Sequence, residues 1–213
     1  VSSSVADLLN EELRNRHIQY TQVISGQQSF EKRWEECVDV VIGYLSLATS
    51  SLYVKNFFPQ ESREKAIEMV RAIRNEFEST LNATEWMDEV TKEAALEKVH
   101  TMLDFTAYPD ELMHDDKLIN YYTDLKLNGD NYFESVLNIT KFEAKKVAKN
   151  FRKPINKTDW EVHSEVAIIN AYYNPLENSV QVPAGILQGV YFTADRPKYL
   201  NYAAIGSIIG HEM

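Results

Sequence analysis

The sequence predicts a mainly α fold in which a helical lobe is followed by a β-hairpin and a final helix. Three observations lead to this prediction. Apolar residues recur with helical spacing over residues 30–151, β-forming residues replace that pattern after Pro154, and small uncharged residues dominate the stretch before the last dipeptide. The composition is that of a globular protein, because 44% of the 213 residues are hydrophobic and 25% are charged.

The helical lobe is predicted as several amphipathic helices in succession. Between about residues 67 and 81, apolar side chains return every three or four positions with charged residues between them. Pro59 disfavours helix at the residue before it, and a second break is predicted at Tyr108-Pro109-Asp110. A third break at Asn128-Gly129-Asp130 precedes a helix predicted over residues 132–149.

The β-hairpin is predicted from two runs of β-forming residues. Residues 166–173 form the first strand, residues 174–178 the turn, and residues 179–182 the second strand, which Pro183 ends. Residues 184–188 then continue as a loop or short helix. One terminal helix is predicted from about Lys198, and its two glycines suggest a packing requirement, since each costs roughly 1 kcal/mol relative to alanine.

The last residues, His211-Glu212-Met213, match the opening of an H-E-x-x-H zinc helix. In that motif the two histidines lie one turn apart on one face and bind one metal, while the glutamate reaches the metal-bound water. The second histidine would fall two positions beyond Met213. The dipeptide alone is weak support, because roughly 0.5 occurrences are expected by chance in a chain of this composition.

Charge and composition exclude some functions and leave the cellular setting open. A net charge of -10 without a long Lys/Arg cluster argues against a surface for nucleic acid or anionic membrane. Cys37 is the one cysteine and cannot form an internal disulfide. Sequons at Asn82, Asn138 and Asn156 suit a secreted protein, although roughly 1.8 are expected by chance. We interpret the sequence, which opens without a signal peptide, as an internal piece of a longer polypeptide.

The order of these segments resembles the neprilysin and endothelin-converting enzyme family of zinc metallopeptidases. The resemblance covers about residues 30–213. Near the C-terminus it is carried by motifs in the family's order and approximate spacing: Asn170-Ala171-Tyr172-Tyr173, Pro183-Ala184-Gly185-Ile186-Leu187-Gln188, Leu200-Asn201-Tyr202, Ile205-Gly206 and Gly210-His211-Glu212. Upstream it is carried by residues 34–37, Leu52-Tyr53-Val54, Trp86-Met87-Asp88, Thr91-Lys92 and Tyr108-Pro109-Asp110.

The resemblance implies an extracellular enzyme with two mostly helical lobes around a cavity. Residues 1–163 would belong to the N-terminal region, and residues 164–213 would begin the catalytic domain with the first turns of the zincin active-site helix, so that the chain is truncated at both ends. Members are type II membrane proteins or secreted. Cys37 would form a disulfide with a partner N-terminal to this piece, and the three sequons would be glycosylated.

The resemblance also implies a site with one Zn²⁺ per complete catalytic domain. His211 would be the first zinc ligand and Glu212 the general base that takes the proton of the zinc-bound water. Asn170 and Ala171 would hydrogen-bond the backbone of the peptide substrate as an added strand. The pocket for the apolar side chain just after the cleaved bond would be lined by Ile186, Tyr191 and Ile208. The remaining histidines, His17, His100, His114 and His163, have no ligand spacing and are predicted to be surface or structural.

The sequence departs from the family at Gly189-Val190, Ala203-Ala204 and Ser207. The last bears on substrate preference, because a larger apolar side chain is common there and serine would open the side-chain pocket. The predicted function is that of a zinc metalloendopeptidase acting on extracellular oligopeptides. With one ligand of three, the piece itself is expected to be inactive, and the rest of the parent chain is needed to complete the site. Two alternatives are a catalytically dead homologue that acts as a scaffold, and an intracellular helical module in which His-Glu is fortuitous.

Overall fold

The fold is mainly α-helical, as predicted, with one small sheet. The computed structural model describes residues 8, 10–26 and 28–213. The described residues up to Tyr44, together with Ile119–Ile155, form one compact unit, and Leu45–Leu118 with Asn156–Met213 form a second. In chain order the helices are α1 (Glu11–Ser25), α2 (Arg33–Tyr44), α3 (Ser46–Phe57), α4 (Gln60–Ala83), α5 (Glu89–Thr101), α6 (Asp115–Tyr121), α7 (Tyr132–Asn150), α8 (Lys198–Ala203) and α9 (Ile205–Glu212).

The first unit contains α1, α2 and α7. Helix α1 begins after Asn10, whose side chain accepts a hydrogen bond from the Leu13 amide at 3.1 Å. Glu36 of α2 accepts hydrogen bonds from Arg14 of α1 at 2.7 Å and from Arg33 at 2.8 Å. Burial alone would raise the pKa of Glu36, but these two guanidinium groups outweigh burial and lower it. The two arginines therefore keep this half-buried carboxylate ionised.

The second unit holds the sheet and the main hydrophobic core. Its core joins residues of α3, α4, the sheet, the loop after the sheet and α9, among them Val54, Val70, Val180, Leu187 and Ile209. Two serines of α3 form hydrogen bonds with the backbone of segments that pack beside this core. The Ser50 hydroxyl accepts a hydrogen bond from the Val166 amide at 3.0 Å, and the Ser51 hydroxyl donates to the Leu112 carbonyl at 2.6 Å.

The sheet has three strands in the order β1 (Leu103–Ala107), β3 (Ser179–Pro183), β2 (Tyr172–Asn174). Strands β2 and β3 form the predicted antiparallel hairpin, with Tyr172 opposite Gln181 and Asn174 opposite Ser179. Asn178 in the turn adopts a positive φ of 57°. Its side chain donates to the Lys98 carbonyl of α5 at 2.8 Å, and this contact ties the turn to the helix.

The prediction that the first strand spans residues 166–173 is wrong for residues 166–171. These residues run as an irregular segment, and the strand begins at Tyr172. The backbone of Val166 is satisfied elsewhere, because its amide donates to Ser50 and its carbonyl accepts from the Gly185 amide at 2.9 Å. Hydrogen bonds outside the sheet thus replace the expected strand pairing at the start of the segment.

Strand β1 lies in a region predicted to be helical. It pairs in parallel with β3, with Leu103 opposite Ser179 and Ala107 opposite Pro183. Five residues are too few for periodicity to distinguish a strand from the end of a helix, and their partner lies more than 70 positions along the chain. The strand therefore depends on a distant contact rather than on a local pattern.

The predicted terminal helix is two helices separated at Ala204, whose backbone has φ −92° and ψ −94°. Neither glycine of this stretch shows the close contact that the expected packing requirement would need. A Cβ at buried Gly206 would meet Tyr202 at an ordinary 3.4 Å, and one at exposed Gly210 would meet no atom of the described residues within 4 Å. Among these residues no single helix is long and apolar enough to cross a membrane, while α2 and α3 meet that test only as a bent pair.

Candidate active site

His211 and Glu212 lie in the last turn of α9, where the sequence places them. The His211 side chain is exposed and Glu212 is half-buried. The helix below them is held by Ile205 and Ile209, both fully buried. Within residues 10–26 and 28–213 we find no hydrogen bond to either the imidazole or the carboxylate. Both groups are thus accessible while the helix that carries them is fixed.

A zinc ion fits the chemistry of this pair. A free imidazole is a common zinc ligand, and an adjacent carboxylate suits a proton acceptor for zinc-bound water. No group of three or more His, Cys, Asp or Glu residues that could hold a metal ion occurs in the part of the chain that the structure describes. The described part of the chain therefore does not by itself form a metal centre with three such ligands.

The predicted pocket residues lie on the loop before α8 and on α9. We call residues 184–195 the pocket loop. Ile186 is buried at 5% exposure in the core to which Ile205 and Ile209 also belong, and Ile208 packs against that core. Tyr191 is 39% exposed, and its carbonyl accepts a hydrogen bond at 3.3 Å from the amide of Ile205. Backbone and core contacts thus join the pocket loop to the beginning of the helix that bears His211.

The predicted substrate strand lies at an edge of the sheet. Strand β2 pairs with β3 on one side, and none of the other described strands pairs with its second side. Asn170, just before β2, is exposed, while Ala171 is buried. The Asn170 side-chain oxygen accepts from the Ala171 amide at 2.9 Å, and this bond holds the amide group in place. Such an edge presents unpaired backbone groups that can accept an extended peptide.

Gly185 brings the segment before β2 against the pocket loop. A Cβ at this position would lie 2.3 Å from the carbonyl oxygen of Ile168 and 2.7 Å from its backbone nitrogen. No real Cβ contact is that short, so the two backbones can meet only at a glycine. The resemblance to the family includes Gly185 in a motif but assigns it no role. Its role is the close approach of residues 166–168 to the loop that carries Ile186.

Asn201 of α8 is a second residue whose role the sequence did not indicate. It is 6% exposed and is paired with Thr193 of the pocket loop in both directions. Its side-chain nitrogen donates to the Thr193 carbonyl at 3.0 Å, and its oxygen accepts from the Thr193 amide at 3.2 Å. A buried amide can be paired in this way only by a backbone at a fixed distance, so the end of the pocket loop is bound to α8.

The other histidines have contacts that suit structural or surface positions. His163 is buried and stacks on Phe105 with 3.5 Å between the ring centroids. Its Nε2 lies 2.9 Å from the Lys157 carbonyl, and it therefore donates there. His100 is exposed beside Glu78 at 3.0 Å.

The predicted modification sites differ in their surroundings. Cys37 is exposed and forms no disulfide with any described residue. Asn82 and Asn156 are exposed, whereas Asn138 is half-buried in the middle of α7. The side-chain oxygen of Asn156 accepts hydrogen bonds from the amide and the hydroxyl of Thr158, at 3.1 and 3.0 Å, so its side-chain nitrogen is left toward solvent.

Comparisons with known proteins agree with the arrangement of the helical lobe, hairpin and His-Glu helix. Models of peptidase family M13 match residues 1–109 and residues 170–213. The chain belongs to peptidase family M13. Residues 110–169 lie between the two M13 matches, and the predicted domain boundary at residue 163 falls among them, where it stays a prediction.

Several M13 relatives match nearly the whole chain. Neprilysin-2 of Drosophila melanogaster is 45% identical over 96% of the chain, and an endothelin-converting enzyme homolog of Locusta migratoria is 32% identical over 99%. The aligned region is 28% and 29% of those two relatives, so the chain spans less than a third of their length.

Solved structures confirm the fold. The crystal structure of PepO from Lactobacillus rhamnosis superposes with a TM-score of 0.86 at 24% identity, covering 99% of the chain and 32% of that protein. A zinc metalloprotease of Mycobacterium tuberculosis in complex with an inhibitor superposes with a TM-score of 0.82, also at 24% identity, covering 99% of the chain and 30% of that protein.

Proposed function

We propose that the protein is a neprilysin-like zinc metalloendopeptidase that hydrolyses peptide bonds of extracellular oligopeptides. The observation that carries this proposal is the pairing of exposed His211 with half-buried Glu212 in the last turn of α9, in a chain of family M13. The first residue of α9, Ile205, is hydrogen-bonded to the pocket loop. Substrate, metal and catalytic groups of the proposed reaction would meet on one side of this helix.

Each residue has a defined part in the proposed reaction. His211 would hold zinc together with ligands from the rest of the full-length protein, and zinc, when bound, makes water acidic enough to act as a nucleophile near neutral pH. The Glu212 carboxylate would accept the proton of that water and later give it to the leaving amine. Asn170 and the backbone at Ala171 would hold the peptide extended along the free edge of β2.

The pocket residues Ile186, Tyr191 and Ile208 would receive the apolar side chain that follows the cleaved bond. Ile186 and Ile208 adjoin the core, and Tyr191 contributes an exposed ring. We further propose that the protein acts outside the cell, anchored in the membrane or secreted, with Cys37 in a disulfide. Residues 1–213 alone would be inactive, because zinc sites ordinarily need at least three protein ligands.

The test compares two neighbouring variants of the full-length protein. Glu212→Gln keeps the size of the side chain but cannot accept a proton, so peptide hydrolysis should fall by about 100-fold to 10,000-fold while zinc content stays at one per chain. His211→Ala should lose both zinc and activity, because it removes a ligand. Peptide cleavage and metal content are measured on both, with Glu97→Gln, exposed on α5, as the control.

Each outcome separates the proposal from its alternatives. Full activity in Glu212→Gln would contradict the assignment of the general base. Absence of zinc and of peptide cleavage in the unaltered full-length protein would instead support a catalytically dead scaffold. Normal activity of Glu97→Gln shows that replacing a carboxylate elsewhere on the same unit does not by itself impair the enzyme.

A further inference from the structure

We propose that Arg196 is a positioning residue that fixes the pocket loop against α9 and so sets which side chain the pocket accepts. The proposal extends the peptidase function above and rests on it. Nothing in the sequence marks Arg196, which lies between Asp195 and Pro197 and directly follows the pocket loop. Its guanidinium group is half-buried and directed at backbone and amide oxygens.

The guanidinium group of Arg196 binds the loop at two successive carbonyls. Nη1 donates to the Val190 carbonyl at 3.0 Å, and Nη2 donates to the Tyr191 carbonyl at 2.7 Å. Nε donates to the side-chain oxygen of Asn201 at 2.5 Å. Among the described residues no carboxylate lies in salt-bridge range of Arg196. Nη2 also lies 3.5 Å from the Leu200 carbonyl of α8, so the guanidinium group connects the loop to α8. Hydrogen bonds from charged donors are about twice as strong as those from neutral ones.

Asn201 pre-orients this guanidinium group. The Asn201 oxygen accepts from Arg196 and from the Thr193 amide, while its nitrogen donates to the Thr193 carbonyl. Because Asn201 is buried and held by Thr193 on both sides, it presents a fixed acceptor to Nε. The planar fork of an arginine is rigid, so fixing Nε also directs both Nη atoms.

The Tyr191 carbonyl joins the loop, the guanidinium group and the zinc helix at one atom. It accepts from Arg196 at 2.7 Å and from the amide of Ile205, the first residue of α9, at 3.3 Å. Ile205 is fully buried and follows the break at Ala204. A shift of the loop at Tyr191 would consequently move the ring relative to the helix that carries Ile208 and His211.

Side-chain packing does not hold this part of the loop. Gly189 has a positive φ of 57°, Val190 is 80% exposed and Tyr191 is exposed as well. The helix itself is fixed by Ile205 and Ile209 in the core. Removal of Arg196 should therefore loosen residues 189–191 while leaving His211 and Glu212 in place. The consequence should be altered substrate selection rather than loss of the metal.

The experiment uses the full-length protein and two peptides that differ only after the cleaved bond, one with Phe and one with Ala. Arg196→Ala should lower kcat/KM for the Phe peptide by about tenfold more than for the Ala peptide, because a charged hydrogen-bond donor is lost. Arg196→Lys should restore only part of the selectivity, since an ammonium group cannot span the three acceptors. Zinc content should be unchanged in both variants.

Arg63→Ala is the matched control. Arg63 lies in the same unit and is also half-buried. Its guanidinium group pairs with Asp110 at 2.6 Å and lies over the ring of Tyr108, and neither of these residues belongs to the pocket loop. Its removal should leave the ratio of the two kcat/KM values unchanged. A selectivity ratio that changes equally in Arg63→Ala and Arg196→Ala would overturn the proposal, because general destabilisation would then explain it.

Amide hydrogen exchange tests the positioning independently of catalysis. In Arg196→Ala, but not in Arg63→Ala, peptides covering residues 188–193 and 204–207 should exchange about tenfold faster. Unchanged exchange overturns the proposal whatever the activity, and faster exchange with an unchanged selectivity ratio overturns its link to specificity. If the unaltered protein cleaves no peptide, the proposed function fails by itself, and exchange alone then decides whether Arg196 positions the loop.

Discussion

Three asparagines of the second unit use the same kind of side chain in different ways. Asn201 is buried, and Thr193 and Arg196 occupy its polar groups. Asn178 adopts a left-handed backbone conformation and ties the hairpin turn to α5. Asn170 is exposed and uses only its oxygen, on the amide of the next residue. At the scale of single residues, the exposed amide of Asn170 is therefore free to meet a peptide, whereas the other two serve the fold.

Replacing Asn170 tests whether its side chain contacts the substrate. In the full-length protein Asn170→Ala should lower kcat/KM through loss of one hydrogen bond, worth about 0.5 to 1.5 kcal/mol, or about 2-fold to 13-fold. Asn128→Ala is the control, because Asn128 makes the same kind of local bond, to the Asp130 amide at 3.1 Å, in the other unit. An unchanged kcat/KM in a folded Asn170→Ala enzyme would mean that the edge strand is not the substrate platform.

At the scale of elements, the sequence predicts those whose pattern is local. Helix α7 begins at the predicted residue and ends one residue later than predicted, because its periodicity and the preceding Asn-Gly-Asp break are both contained in the segment. The hairpin is confirmed where turn residues and β-forming residues adjoin. Strand β1 and the irregular residues 166–171 could not be predicted, since each depends on a partner far away in the chain, β3 for one and Ser50 for the other.

The residues of the candidate site also differ in whether a local sequence pattern or a distant contact determines their role. His211-Glu212 could be proposed from the sequence because the dipeptide stands among several other motifs in the order and spacing of the family. Arg196 could not, since its role follows from the position of two carbonyls and one amide that only the fold brings within reach. The break at Ala204 likewise follows from the bond between Ile205 and Tyr191 rather than from helix propensity.

The close contact between the backbones of Gly185 and Ile168 leads to a prediction about stability. Gly185→Ala would place a Cβ 2.3 Å from the Ile168 oxygen, so the backbones must separate, and the free energy of unfolding should fall by about 1–3 kcal/mol. Gly43→Ala in α2 is the control. Its Cβ would meet nothing within 4 Å, and the change should stabilise the helix by up to about 1 kcal/mol.

Urea unfolding of the full-length protein measures both glycine variants. The midpoint should move to lower urea for Gly185→Ala and remain or rise for Gly43→Ala. Equal midpoints for the two variants would show that residues 166–168 do not cross Gly185 as closely as the structure has them. Activity should also fall in Gly185→Ala, because residues 166–168, which precede the proposed substrate strand, lie against the pocket loop at Gly185.

At the scale of the whole molecule, every candidate site residue belongs to one compact unit and to one short stretch of sequence. Residues 166–174, the pocket loop and α9 lie within residues 166–212, and helices of the core around them come from residues 45–118 of the same unit. The chemistry is thus concentrated where motifs can be recognised, while the supporting core is drawn from a separate part of the chain.

If the protein is extracellular, as proposed, the structure predicts which of its sequons carry a glycan. Asn156 is exposed, and its oxygen is bound to the Thr158 of its own sequon, so its nitrogen can carry a glycan without disturbing the fold. Asn138 is half-buried on α7 beside Ile139, a buried residue of that helix, and a glycan there would compete with packing. We therefore expect occupancy at Asn156 and little at Asn138, although the sequence alone predicts both.

Secretion of the full-length protein from a glycosylating cell tests this expectation. Asn156→Gln should remove one glycan, seen as one step in electrophoretic mobility that glycosidase treatment abolishes, whereas Asn138→Gln should leave the mobility unchanged. Asn120→Gln, which is exposed on α6 and lies in no sequon, is the control for the substitution itself. A chain that carries no glycan at any sequon would contradict the extracellular setting, and a glycan at Asn138 would contradict the packing of α7, because the half-buried side chain must then turn to solvent.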